Sequence, residues 1–170
     1  MKKVILSIAV LASFLLITNR SKAQSGSQYS PDYTTALGVK FGPYESGFSI
    51  KYFANPSTSL EGIVGFNDHG VVVTGLYELN LPAFNVPGLK FYYGAGGHIG
   101  AEGAGQYDVL GNNRVYDNTH LLFGIDGVLE LDYRIPQTPI AVSVDLDPRV
   151  ELATGPFFDV GPALGLKYTF

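Results

Sequence analysis

The sequence predicts an all-β fold: an eight-stranded antiparallel up-and-down barrel that spans a membrane and follows a cleaved signal peptide. Three observations predict it. From residue 33 onward apolar residues alternate with small or polar ones at period two, the spacing of strands with two unlike faces. Gly, Pro, Asn and Asp break the alternation at short intervals, and no stretch sustains the i, i+3, i+4, i+7 spacing of an amphipathic helix. Within the strands every charge falls on one face, and the bulky apolar residues fall on the other.

The chain has 170 residues, 11 of them basic and 15 acidic, and no cysteine. Its first stretch reads as a secretory signal, to be set aside before the fold is considered. Lys2 and Lys3 precede an uncharged apolar run over 4–17, and Ser21 and Ala23 are small residues spaced for cleavage. The run is shorter than the roughly 20 residues a spanning helix needs. Cleavage between Ala23 and Gln24 is expected, which divides the chain into a signal peptide (1–23), a short N-terminal segment (24–32) and a barrel (33–170). It removes four basic residues and no acid, leaving a mature net charge of about −8 and arguing against a nucleic-acid partner. The lack of cysteine excludes a lipid anchor on Cys, disulfides and thiolate metal sites.

The strands are expected at 33–42, 47–54, 59–67, 71–79, 89–100, 119–135, 140–147 and 157–170. The first sets Tyr33, Thr35, Leu37, Val39 and Phe41 against Ala36, Gly38 and Lys40. The second sets Phe48, Ile50 and Tyr52 against Ser49 and Lys51, and the third sets Leu60, Val64 and Phe66 against Glu61 and Gly65. The fourth sets Val71, Val73 and Tyr77 against Thr74 and Glu78. The fifth opposes Phe91, Tyr93 and Ile99 to Lys90, Gly94, Gly96 and His98. In the sixth, the longest, Leu121, Phe123, Ile125, Leu129 and Leu131 oppose Asp126, Glu130, Asp132 and Arg134. The seventh opposes Val142, Val144 and Leu146 to Ser143, Asp145 and Asp147, and the eighth opposes Leu164, Leu166, Tyr168 and Phe170 to Asp159, Gly165 and Lys167. Ile63, Val72, Leu76, Leu122 and Val128 interrupt the pattern as apolar residues on the charged face.

Which face is inside decides the environment. A soluble lipocalin-type barrel would have to pack Phe, Tyr and Leu from all eight strands into one interior and leave many glycines in solvent. In a membrane barrel the large residues meet lipid, and small and charged residues fill a narrow lumen that eight strands close with side chains alone. Lipid cannot hydrogen-bond a free strand edge, so such a sheet closes on itself. The expected lumen charges are Lys40, Lys51, Glu61, Glu78, Lys90, Asp126, Glu130, Asp132, Arg134, Asp145, Asp147, Asp159 and Lys167. Isolated, they would be costly, so a paired structural network is expected. A gated ion path is the alternative.

With both termini on the periplasmic side, turns fall at 54–58, 80–88 and 136–139, the second of them fairly long. Outward loops fall at 43–46, 67–70, 101–118 and 148–155, the third being the longest. Pro162, inside the last strand, cannot donate a ladder hydrogen bond and suggests a bulge or a rim position. Aromatic residues near strand ends, such as Tyr52, Phe91, Tyr133 and Tyr168, suit a girdle at the headgroups.

Several of these features together resemble a known family. The Lys2–Ala23 leader, the run from Tyr92 through Gly94 and Gly96 to His98, the run Gly124-Ile125-Asp126-Gly127 and the C-terminus are similar to small outer-membrane β-barrel proteins of the OmpA/OmpX-like, porin-family superfamily, in its Bacteroidetes form. Gly165, Tyr168 and Phe170 match the C-terminal signal read by the barrel-assembly machinery, although Ala163 stands where that signal usually has a polar residue. The resemblance implies the fold and a bacterial outer-membrane location, with membrane lipid and the assembly machinery as partners. It implies no particular activity, because this fold hosts adhesins, stabilisers and lipid-modifying enzymes.

No catalytic, cofactor or metal site is expected. Enzymes of similar fold use a His–Ser pair near the outer rim, and none of His69, His98 and His120 has Ser two positions on. The glycines at 94–100 are not followed by a helix and do not make a dinucleotide fingerprint. Asp145 and Asp147 lack the loop Gly and later Glu of a calcium-binding EF-hand. Asp108, Asn112, Asn113, Asp117 and Asn118 in the third outer loop read as a flexible polar loop, with calcium binding as the alternative. The expected role is a non-enzymatic envelope protein acting through stability or surface contacts. A lipid A-modifying enzyme or a narrow pore is the alternative.

Overall fold

A computed structural model describes residues 33–43, 46–67, 69–109, 112–154 and 157–170. The expected signal peptide, the segment 24–32 and the Ala23–Gln24 cleavage point lie outside the described residues. The described chain is all-β. Its strands are β1 (Thr35–Phe41), β2 (Ser46–Asn55), β3 (Thr58–Asn67), β4 (Gly70–Pro82), β5 (Leu89–Glu102), β6 (Gly105–Val109), β7 (Asn112–Tyr116), β8 (His120–Arg134), β9 (Ile140–Glu151) and β10 (Phe157–Thr169). Eight of them close a barrel in the order β1-β10-β9-β8-β5-β4-β3-β2, every pair antiparallel, while β6 and β7 form a separate two-stranded sheet.

Following the register around the wall from Ala36 through Lys51, Glu61, Leu76, Gly96, Asp126, Arg149 and Asp159 returns to the β1 line ten positions further on. A stagger of this size in an eight-stranded barrel goes with strands tilted by roughly 35–45° and an interior that side chains fill. The two ends of the barrel chain meet. Thr34 donates to the Phe170 carbonyl at 3.0 Å, and Phe170 donates to Thr35 at 2.8 Å.

The alternation sorts the side chains. Leu37, Phe48, Ile50, Val73, Tyr77, Leu129, Val144 and Leu166 point out and are exposed, while Lys51, Glu61, Glu78, Glu130 and Asp145 are buried inside. Ile63, Val72, Leu76, Leu122 and Val128, the apolar residues on the charged face, are also buried in the interior.

Three boundaries differ from the sequence expectation, each for a physical reason. The loop expected at 148–155 begins later, because β9 continues through Pro148 to Glu151. Pro148 interrupts only the ladder to β8, where pairing skips from Asp126↔Arg149 to Leu129↔Leu146 with the register unchanged, and the ladder to β10 runs unbroken past it. Gly127 lies opposite, where a Cβ would come within 2.8 Å of the Pro148 ring. The expected loop 101–118 contains the β6–β7 hairpin, and the turn expected at 80–88 starts later because β4 reaches Pro82.

No bulge forms at Pro162, which pairs in regular register with Leu146. The β1–β10 ladder stops at Phe41↔Leu164. Phe170 donates toward β1, and alternate residues do the same, so Pro162 is the first such position beyond the ladder. Its missing N–H therefore leaves no bond unmade.

The turns at the terminal end are built by local geometry. Phe84 and Asn85 take φ of 51° and 54°, and Val86 donates to the Ala83 carbonyl at 3.1 Å, a type I′ arrangement. Pro87 and Gly88 follow as a type II turn, with Gly88 at φ 84° and Leu89 donating to Val86. Gly88 is needed there because left-handed backbone favours a residue without Cβ.

Candidate functional site

Among the described residues many charges converge in the interior of the barrel, which is layered. At the terminal end Tyr33, Phe53 and Tyr92 form an aromatic floor with Ala36; Tyr33 was expected on the outward face, but it precedes β1 and turns inward. The Tyr33 and Phe53 rings meet edge to face at 5.1 Å, and those of Phe53 and Tyr92 at 6.3 Å. Cations cover these rings. Lys51 Nζ lies 4.3 Å from the Tyr92 centroid, Lys90 Nζ lies 5.9 Å from Phe53, and the Arg134 guanidinium lies 5.2 Å from Tyr33. Lys90 and Arg134 are half-buried at this end.

Above the floor lies the main network. Lys51 Nζ sits between three carboxylates, 3.3 Å from Glu61, 3.0 Å from Glu78 and 2.9 Å from Glu130. Lys167 Nζ lies 2.6 Å from Glu130 and 3.4 Å from Asp132. Lys40 Nζ lies 3.1 Å from Asp145 and 2.9 Å from Asp147. Ser59 donates to Glu78 at 2.8 Å.

The strands divide this work by sign. Lys40, Lys51 and Lys167 come from β1, β2 and β10, three neighbours in the wall, and the acids they meet come from β3, β4, β8 and β9. Lys51 and Glu61 are register partners on neighbouring strands, and every other ion pair of these three lysines joins strands that are not neighbours in the wall. Taking such charges out of water is costly, and their mutual attraction offsets that cost only while every partner stays in place.

Ile63, Leu76 and Val128 form an apolar layer beyond the Lys51 and Lys167 groups and beside the Lys40–Asp147 pair, with which Ile63 and Leu76 share a small cavity. On the far side of the layer His98 Nδ1 faces Asp126 at 2.9 Å and Nε2 faces Glu151 at 2.9 Å. A carboxylate only accepts, so this geometry calls for an N–H on both ring nitrogens. Arg149 donates to Asp126 at 2.6 Å and to Thr74 at 3.4 Å. Glu151 also accepts backbone N–H groups from Phe123, Leu152 and Ala153, which anchors the loop that leaves β9. The sequence reading placed Arg149 and Glu151 in an outer loop. The signal that could have found them is the continued alternation of Asp145, Asp147, Arg149 and Glu151 through Pro148.

At the end away from the termini, Arg114 of β7 lies 3.1 Å from Asp159 of β10, with its guanidinium 3.0 Å from the Phe157 ring centroid. Nearby, His120 faces Glu102 at 3.4 Å and stacks on Tyr116 at 3.8 Å, while Tyr107 packs edge to face against His69 at 5.9 Å. The side chains of Asp108, Asn112 and Asn113 lie outside the described residues, and Asp117 and Asn118 are exposed.

Carboxylate oxygens of Glu61, Glu78 and Glu130 approach one another within 4.8 Å, close enough to hold a cation. The Lys51 ammonium stands among them and supplies that positive charge itself. At the C-terminus Gly165 is buried, while Tyr168 and Phe170 point outward with their rings 4.9 Å apart. No protein-family model matches the chain, and no curated protein sequence matches it.

Proposed function

We propose that this chain is an integral β-barrel of a bacterial outer membrane, exported by its N-terminal signal, of the OmpA/OmpX-like kind, and that its lumen is a structural plug. One observation carries the reading: bulky apolar side chains cover the outside of all eight wall strands while the lysines and carboxylates lie inside. Soluble monomers rarely expose apolar patches beyond a few hundred Å². A closed belt of Leu, Val, Ile, Phe and Tyr is what lipid would solvate. Even strand number puts both termini at one end, the periplasmic one, and the β6–β7 hairpin at the outer one.

The role that fits this interior is non-enzymatic, exerted through envelope stability or contacts of the outer loops. His98 has both ring nitrogens on carboxylates, which leaves neither to take a proton from a hydroxyl. The aromatic floor, the charge network and the apolar layer together fill the bore, which favours a plug over a narrow pore. Partners in this reading are outer-membrane lipid and, during biogenesis, the assembly machinery that reads Gly165, Tyr168 and Phe170.

Fractionation of cells tests it. The mature protein, beginning at Gln24, is expected in the outer membrane as a band whose mobility shifts on heating. Recovery as a soluble periplasmic protein would overturn the proposal. A deletion strain with altered lipid A would return the enzymatic alternative.

A further inference from the structure

Strands β6 and β7 pair only with each other among the described residues, yet the hairpin does not stand clear of the barrel. It is inserted between β5 and β8, but Arg114 contacts β10, which lies beyond β9 in the wall. The acid it meets, Asp159, is on the inner face and buried. Arg114 thus reaches over the mouth and down into it, and the Phe157 ring beneath the guanidinium holds it there.

Beneath the mouth is a small cavity lined by Lys40, Thr74, Asp126, Asp147 and Arg149, with Ile63 and Leu76 of the apolar layer at its base. Asp159 is the register partner of Arg149, so the acid that receives the hairpin adjoins the cation that lines the chamber. We propose that the β6–β7 hairpin is a lid, latched by Arg114 onto Asp159 and Phe157 of β10, that controls access from outside to the small chamber where Lys40, Asp147 and Arg149 meet Ile63 and Leu76. The lid goes beyond the plugged-lumen reading, because it concerns access from outside to the chamber, whether or not the bore below conducts. An ion pair at a wet mouth is weakened by salt, whereas the layers below are screened less.

The absence of cysteine makes a clean test. Thr74→Cys places a lone thiol in the chamber, and Ser143→Cys places one in the buried wall among the deeper charges. Each is combined with Arg114→Ala, refolded in lipid vesicles, and treated with the neutral reagent hydroxyethyl methanethiosulfonate. Thr74→Cys alone is expected to react slowly, at least tenfold faster with Arg114→Ala, and faster with rising salt only while Arg114 is present. Ser143→Cys is expected to stay slow throughout. Asp159→Asn should repeat the effect of Arg114→Ala if the ion pair is the latch. Equal rates at Thr74→Cys with and without Arg114 would overturn the proposal. So would equal acceleration at both thiols, which would mean a loosened barrel rather than an opened lid. Fractionation and this labelling are independent, so either reading can fail without the other.

Discussion

Lys51 and Glu130 stand on opposite sides of the barrel, on β2 and β8, and their charged ends meet at 2.9 Å. Lys51 is also the only cation that an ion pair brings to Glu61 and Glu78 among the described residues. Lys51→Met is therefore expected to destabilise the barrel by about 3–5 kcal/mol, the usual cost of removing one partner from a buried ionic group. Adding Glu61→Gln to that variant should recover part of the loss, since one stranded carboxylate is then neutral. Denaturant unfolding from lipid vesicles would measure both. A silent Lys51→Met would show that the network contributes nothing to stability.

The outward face gives a test of environment. Leu129 points away from the interior beside the buried Glu130. Leu129→Arg should cost about 2–4 kcal/mol if lipid surrounds it near the bilayer midplane. In water the same change would be nearly neutral. Unfolding of wild type and variant from vesicles distinguishes the two.

Glycine positions test the tight approach of neighbouring strands. A Cβ on Gly96, which faces inward on β5, would run into the Gly75 carbonyl oxygen, whereas a Cβ on Gly75 meets nothing within 4 Å. Gly96→Ala should cost about 1–3 kcal/mol through forced backbone displacement. Gly75→Ala should be neutral or stabilising by about 0.4–1 kcal/mol, because it restricts the unfolded chain. Equal effects in the same unfolding assay would contradict the register.

The C-terminus separates recognition from architecture. Changing Tyr168 and Phe170 to Ser leaves the backbone bonds of Phe170 to Thr34 and Thr35 available. The variant should still refold in vitro, yet in cells it should remain unassembled and protease-sensitive. Heat-modifiable barrel in the membranes of cells expressing it would remove the assembly-signal reading.

The eight wall strands could be read from the sequence because a period of two is a local property, visible in runs such as Leu129 to Asp132 without knowing any partner. The side of the sheet could be read for the same reason. Partner choice could not. Nothing in the chain order says that Lys40 faces Asp145 and Asp147 while Lys51 gathers Glu61, Glu78 and Glu130, since that depends on the stagger around the closed wall. Pro148 misled in another way. A proline reads as the end of a strand, but it removes a bond on one side only, and β9 continues on the strength of its other ladder. Arg149 and Glu151, two of the ligands that hold His98 and Asp126, were hidden by that single residue. The β6–β7 hairpin was hidden by its polar composition.

The short ladder between β1 and β10 has a consequence for how the barrel forms. Every other seam in the wall joins strands that follow one another in the chain or are separated by a single hairpin. This one brings together opposite ends of the barrel chain, and its six pairs are the fewest in the barrel. Loop-closure entropy grows with the length of chain enclosed, so this contact is the slowest to find. It is also the one with the least ladder to hold it once found. The last event of folding and the first of unfolding are then expected at the same place, where Ala36 meets Thr169, rather than in the charged interior.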